Sequence, residues 1–290
     1  MANETVFTGL AHPTDVFSAA ISAALLKKAV ALPLIYSEDL PIGTNVKYVR
    51  KDGSVSASTG GVSEGANYTT LSQYTTTGVS ITVIKDVVST FVSAEAMQFG
   101  GVSEGTLAQK IGEALARELD NEILTKATGF ANSVTAANVL TIDDLMDAAY
   151  TVRKNIKGAA SGKLVALLDH KGAHEISKEI VKSSASVFTI QTMIDLLGRL
   201  NIPANGYVGE MAGVAVFQTS GFSTGSSDNK QMVIDPALAL AGVYGSSVVM
   251  MPPIPTGQGN PSFGWEISGL AWHGVSEWND TAGCGLNSDS

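Results

Sequence analysis

The chain has 290 residues, a formal net charge of −9, only 16% charged residues, 30 glycines and a single cysteine, with a pI near 4.9. That length buries the core of one large domain or two modest ones, while the acidic balance excludes a Lys/Arg groove that tracks phosphates. Cys284 alone forms no internal disulfide or multi-cysteine zinc site and fits a reducing compartment; a charge content this far below the usual ~25% points to a surface partly covered by other subunits.

Residues 1–13 have no periodicity and read as an arm. From Thr14, a helix cap, an alanine-rich helix runs to Lys28 with Phe17, Ile21 and Leu25 on one face, and Pro33 and Pro41 close the segment. Its apolar run, Val16 to Leu26, is too short to span a bilayer and, following Asp15 where an export signal has a basic segment, is poorly built for export. Thr44 to Arg50 alternates, with Val46 and Tyr48 on one face, and Lys51-Asp52-Gly53 is a hairpin turn signal before a strand from Val55 to Thr59. Between Gly60 and Gly78 the apolar groups are too few to offset the ordering of so long a loop, so the segment is either mobile or held by a neighbouring molecule, and the strand-like flanks favour a two-stranded arm held by a neighbour.

Val79 to Lys85 alternates as a half-buried strand with Val79, Ile81 and Val83 facing one way. Asp86 to Phe99 reads as a helical or irregular connection. It leads into the longest helix signal, Glu104 to Ala127. There Leu107, Ile111, Leu115, Leu119 and Ile123 recur every fourth residue, Ala108, Ala116 and Leu124 widen the stripe, and the pairs Glu113–Arg117 and Glu122–Lys126 decorate the opposite side. Gly129 is expected to stop the helix in a left-handed conformation, with Phe130 folding back on Leu124.

Thr141 caps the next helix, complemented by Asp143 and Asp144, with Ile142, Leu145, Ala149, Val152 and Ile156 buried and Gly158 ending it. Leu164 to Leu168 is the continuous apolar run of a strand covered on both faces. Helices at about Lys171 to Ser183 and Thr189 to Leu197 and a strand pair, Tyr207 to Gly209 and Gly213 to Thr219, complete an α/β or α+β module. Strands are predicted at Gln231 to Ile234, Ser246 to Met251 and Phe263 to Leu270. Trp265, Trp272 and Trp278 anchor a terminal sheet or a subunit contact.

Three patterns carry possible chemistry. The hexad GGVSEG occurs at residues 60–65 and 100–105, and both copies fit the G-x-S-x-G of a hydrolase elbow. Ser103, Asp235 and His273 follow in the order of such a triad, with Ser63 as the second serine. No buried strand precedes either serine and no oxyanion segment accompanies them, so a serine hydrolase is the alternative from another functional class. His170 and His174 share a helical face beside Glu175, but without the H-E-x-x-H order of a metal site. Asp143, Asp144 and Asp147 lack the loop spacing of a calcium site, and helix capping explains the first two. No catalytic, cofactor-binding or metal-ligating set is assigned, and the chain is read as a non-enzyme.

The order of arm and helix, polar two-stranded loop, strand, long helix, α/β module and tryptophan-bearing sheet resembles tailed-phage major capsid proteins of the Hong Kong 97-like fold. ARELDNEILTKATG, TIDDLMDAAYTVR and GEMAGVAVFQTS carry the resemblance. It implies an α+β fold in these parts: an N-terminal arm and helix over 1–40, an extended loop over 41–78, a peripheral domain over 79–139 with the spine helix at 104–127, an axial domain over 140–234, and a C-terminal return over 235–290 to the peripheral and axial sheets. It further implies hexamers and pentamers in an icosahedral shell. That shell would enclose double-stranded DNA without sequence-specific binding, be synthesised in the bacterial cytoplasm and reside in the virion, with no membrane contact. Portal, separate scaffold and cement proteins are the other implied partners. Covalent cross-linking of the kind some members show would involve Lys47 or Lys51 with Asn279. A bacterial encapsulin-type nanocompartment is the alternative within the same fold.

Overall fold

The computed structural model describes residues 21, 23–25, 28–40, 45–51, 77–93, 104–136, 139–156, 163–182, 206–211, 213–219, 229–245, 249–256 and 264–288. Its axis is helix α1, Glu104–Thr125, whose stripe of Ala108, Ile111, Leu115, Leu119, Ile123 and Leu124 is buried as its fourfold spacing requires. The helix tightens into a 3-10 turn, Lys126–Thr128, and Gly129 is right-handed, with φ −85° and ψ −19°. The expected left-handed stop is therefore absent, and the end of the Glu277 side chain lies over the space a Cβ would take. The expected ion pairs are also replaced. Glu113 takes Lys110 at 3.0 Å and Lys28 at 3.3 Å, which hold its carboxyl below the usual range, while Glu122 turns to His273.

One five-stranded sheet lies against α1. Its path is β1 (Tyr36–Asp39), β10 (Leu240–Tyr244), β12 (Gly264–Glu277) and β11 (Val249–Thr256), with β4 (Ile84–Ser93) paired to β12. Strand β4 overturns the helical or irregular reading of Asp86 to Phe99 over its length: ten residues pair antiparallel with β12, from Ile84 opposite His273 to Ser93 opposite Gly264. Val87 and Phe91 are exposed while Val92 is buried. Apolar residues on both faces hide the period of two. The single strand expected at Val79 to Lys85 breaks at Val83 into β4 and β3 (Thr77–Thr82).

Strand β3 pairs with β2 (Val46–Lys51), Lys51 opposite Thr77 and Val46 opposite Thr82, as a separate two-stranded ribbon. Val49 and Ile81 are its buried residues, whereas Val46 and Tyr48 are exposed. The ribbon subtends residues 52–76; the turn at 52–53 and the strand expected at 55–59 lie outside the described residues, as do Thr14, Phe17, Gly158 and the helix expected at 189–197.

The second sheet has six strands in the order β5 (Ser133–Ala136), β13 (Gly283–Ser288), β9 (Asn229–Ile234), β6 (Leu164–Leu168), β8 (Val214–Gln218) and β7 (Tyr207–Met211). Strand β6 is buried at every residue for a simple reason. Val165 and Leu167 face the core built on α1, and Leu164, Ala166 and Leu168 face a second core under helices α2 (Ile142–Asn155) and α3 (His170–Lys182). Thr141 caps α2 through a capping box with Asp144, as expected. Strands β1, β5, β10 and β13 are additions to the sequence reading, and β12 is longer than expected.

Candidate functional site

Among the described residues, those singled out as chemistry lie apart from one another. Ser63 and Ser103 lie outside the described residues. Asp235 is buried in the turn after β9, where its Oδ1 accepts the Ala237 N–H at 3.0 Å. His273, on β12, is 2% exposed; its Nε2 stands 2.7 Å from Glu122 Oε2 and 3.4 Å from Asp86 Oδ2. Its neighbours are therefore carboxylates of the spine and of β4.

The histidine pair on α3 divides likewise. His170 meets the amide of Gln218 and His174 is exposed, while Glu175 reaches the α2 entry, its Oε2 accepting the Leu140 N–H at 2.8 Å. Glu179 does the same one turn on, for the Ile142 N–H at 2.8 Å. Glu179 satisfies a first-turn donor that the helix itself leaves open, and Glu175 the donor just before the cap. Asp169, its carboxyl pushed up by burial, accepts the Gly172 N–H at 2.5 Å and so caps α3. Among the described residues no group of three or more His, Cys, Asp or Glu side chains is arranged to hold a metal ion. Cys284 is buried in the second core, and burial pushes its thiol up to about 11, so it is inert at neutral pH.

What the structure does assemble is a pair of polar clasps on α1. Asp120 is buried, and its carboxylate accepts the N–H of Val30 and of Ala31, each at 2.9 Å, with a further bond from the Leu32 amide and the Thr219 hydroxyl at 3.5 Å. Those amides open the 3-10 turn Leu32–Leu34, which has no side-chain cap of its own. Asp120 supplies that cap from 90 residues away. Burial pushes its carboxyl up to about 6, against the pull of the amides. The sequence carried a signal: Asp120 falls four residues after Ala116 and four before Leu124, on the buried stripe.

The second clasp is Glu122, Asp86 and His273, which joins α1 to β4 and β12. Asp86 is raised first by burial and further by Glu118 and Glu122, and is lowered by His273. Tyr36 on β1 stacks on Trp278 with centroids 4.8 Å apart, so that tryptophan fastens the sheet edge. Of the three residues named for cross-linking, Lys47 bridges Glu38 at 2.8 Å and the Asp39 carbonyl at 2.6 Å, Asn279 accepts the Thr281 hydroxyl, and the Lys51 side chain lies outside the described residues.

Comparison with solved structures places this arrangement. The capsid of Ralstonia phage GP4 superimposes with a TM-score of 0.62 at 10% identity, over 91% of this chain and 92% of that one. The capsid of cyanophage P-SCSP1u gives 0.60 at 13%, over 90% and 88%. The chain has the Hong Kong 97-like fold. A virus-like particle from Pyrococcus furiosus has the same architecture, with a TM-score of 0.55 at 11% identity over 95% of this chain and 99% of the other. No protein-family model matches the sequence, and no curated protein matches it either. Within the Hong Kong 97-like fold, α1 stands where the two clasps converge: Asp120 fixes the N-terminal segment and the end of β8 to it, and Glu122 fixes β4 and β12.

Proposed function

We propose that the chain is a major capsid protein that self-assembles into the icosahedral head shell of a tailed bacteriophage around double-stranded DNA. The observation that carries this reading is the extent of the fold: phage capsid chains match about nine tenths of this chain and are themselves matched over about nine tenths. A fold shared end to end leaves little room for an inserted catalytic domain. The acidic net charge suits a wall that does not grip its contents.

In this reading α1 with the five-stranded sheet is the peripheral domain and the six-stranded sheet with α2 and α3 is the axial domain. The β2–β3 ribbon is the stalk of the loop over 41–78 that reaches a neighbouring subunit. Exposed apolar side chains support a subunit covered by others: Val46 and Tyr48 on the ribbon, Val87 and Phe91 on β4, Met146 and Tyr150 on α2. Repeated heterologous contacts that close by symmetry would make hexamers, pentamers and a container. A portal, a separate scaffold or a cement protein are candidate further partners of such a shell.

The near-complete match to the Pyrococcus furiosus particle supports a second reading, a nanocompartment around protein cargo. Electron microscopy of the purified chain, followed by analysis of the contents of particles from its native source, tests both. Closed shells with nuclease-protected DNA support the phage head, and shells filled with protein support the compartment. A chain that stays monomeric at high concentration overturns both.

A further inference from the structure

Strand β2 divides by parity at the root of the ribbon. Lys47 and Val49 are turned to the body of the subunit, while Val46, Tyr48 and Arg50 are exposed on the other side. Strand β3 keeps the same rhythm, with Ile81 buried between the exposed Ser80 and Thr82. Among the described residues no ladder joins the ribbon to either larger sheet, so side chains and one close approach make its seat. Val49 and Ile81 pack with Ala241 and Val243 of β10, and a Cβ on Gly274 of β12 would lie 2.5 Å from the Thr82 carbonyl oxygen. The polar part of the seat is Lys47. Its Nζ donates to the Asp39 carbonyl at 2.6 Å and meets Glu38 Oε2 at 2.8 Å, both on β1. Glu38 Oε1 accepts the Tyr36 hydroxyl at 2.9 Å, and the Tyr36 ring lies on Trp278, so the carboxylate that receives the lysine is itself held in place.

We infer that Lys47 is a positioning residue for self-assembly: bound to two oxygens of β1, it fixes the direction in which the ribbon leaves the subunit, and so the direction in which Val46, Tyr48 and Arg50 are presented to a second copy of the chain. The inference rests on the shell reading above. Apolar packing is non-directional, so the small cluster under Val49 and Ile81 holds the root down without choosing its angle. Hydrogen bonds from one ammonium to a backbone oxygen and a held carboxylate do choose it. Strand β1 is a fixed reference because it pairs along its length with β10 of the five-stranded sheet. Leverage makes the angle matter. Six residues per strand at ~3.3 Å each give a ribbon ~20 Å long, and a tilt of ~10° carries its far end by ~3–4 Å. That displacement exceeds the ~0.5–1 Å gap within which packed side chains still touch. A partly exposed ion pair contributes little to folding, so losing Lys47 costs direction and leaves the fold.

Spin labels at Arg50→Cys on the ribbon and Arg117→Cys on α1, in full-length protein diluted with unlabelled chain, read the direction as a distance; Cys284 is buried and stays unlabelled. The otherwise unchanged chain should give one narrow distribution. Lys47→Met keeps the length of the stem and should broaden that distribution or shift it by about 3–4 Å, while Tm falls by no more than about 3 °C. In sedimentation of the unlabelled proteins, the same variant should assemble several-fold less at equal concentration. Lys47→Arg retains charge and donors for the same two oxygens and should restore both distance and assembly. Glu38→Gln removes the charge that receives the lysine and should move both readouts the same way, which decides the matter if Lys47→Met does not fold. An unchanged distance in Lys47→Met, a changed distance with assembly at the parent's level, or no recovery in Lys47→Arg would overturn the inference. A parent that itself stays monomeric overturns the shell reading and this one together, whereas a parent that assembles beside a Lys47→Met that assembles equally well overturns this one alone.

Discussion

Gly112→Ala sets two physical effects against each other at the centre of α1. In an isolated helix the change is favourable by ~1 kcal/mol, because alanine restricts the unfolded chain and fits the helix. Here the added Cβ would lie 2.7 Å from both the Ala24 Cβ and the Ile21 carbonyl oxygen, and 3.2 Å from the Leu25 amide nitrogen. Non-bonded carbons settle at ~3.5–4.0 Å, so the helical stretch around residues 21–28 must retreat by on the order of 1 Å. Two of the three crowded atoms are backbone and no rotamer relieves them, and Ile21 and Leu25 are fully buried. Overpacking of this kind costs ~1–3 kcal/mol, and the rigidity places it near the upper end. The net expectation is a loss of ~1–2 kcal/mol and a Tm lower by roughly 2–6 °C, measured by calorimetry on parent and variant in the same oligomeric state. Gly105→Ala is the control: nothing lies within 4 Å of its Cβ, so it should leave Tm unchanged or raise it. A Tm that rises in Gly112→Ala as it does in the control would refute the seating of the N-terminal helical segment on the spine.

Leu115→Asp places a charge in a fully buried stripe and should cost several kcal/mol, about 3 or more; soluble variant protein with normal near-ultraviolet circular dichroism would contradict the packing. His273→Ala leaves Glu122 and Asp86 facing each other without the imidazole and should destabilise the fold, less when combined with Glu122→Gln, so an additive double mutant in denaturant titrations would argue against the clasp. Because Asp120 is raised to about 6 when folded, its contribution to stability is fully present below ~pH 4 and lost as pH rises through 6; the parent should gain up to ~3 kcal/mol relative to Asp120→Asn between pH 7 and pH 4, read from denaturant midpoints. Replacing residues 55–77 by a short Gly/Ser connection should leave thermal unfolding of isolated subunits near normal while sedimentation shows capsomers or monomers in place of shells, and shells that still close would make the segment dispensable.

The spine was legible because its apolar residues keep one period over many turns, and β6 because both of its faces are buried, so that it reads as a solid apolar run. Other elements hide for physical reasons. Strand β4 carries Val87 and Phe91 outward opposite a buried Val92, so neither face reads as polar. In β13, Gly-Cys-Gly-Leu-Asn-Ser has little strand propensity, and its place is set by pairing with β5 and β9. At Gly129 the expected left-handed angle is not there: the residue is right-handed, and its backbone conformation is one that any residue adopts. The clasps were out of reach of spacing arguments, since their partners lie far apart in the chain and only the fold brings Val30 to Asp120 or His273 to Glu122.

The arrangement of the six-stranded sheet has a kinetic consequence. β5 is bound, among its described neighbours, through β13, which also completes β9. Residues 133–136 must therefore wait for residues 285–288 before they gain a partner. During synthesis β9 can already zip to β6 while its other edge is open, a template for strands of other chains. Pairing over so long an interval makes closure slow, and a high concentration of nascent copies would trap unfinished sheets by edge-to-edge association. Overexpressed protein should consequently benefit from slower translation or from a chaperone that shields β9 until β13 arrives.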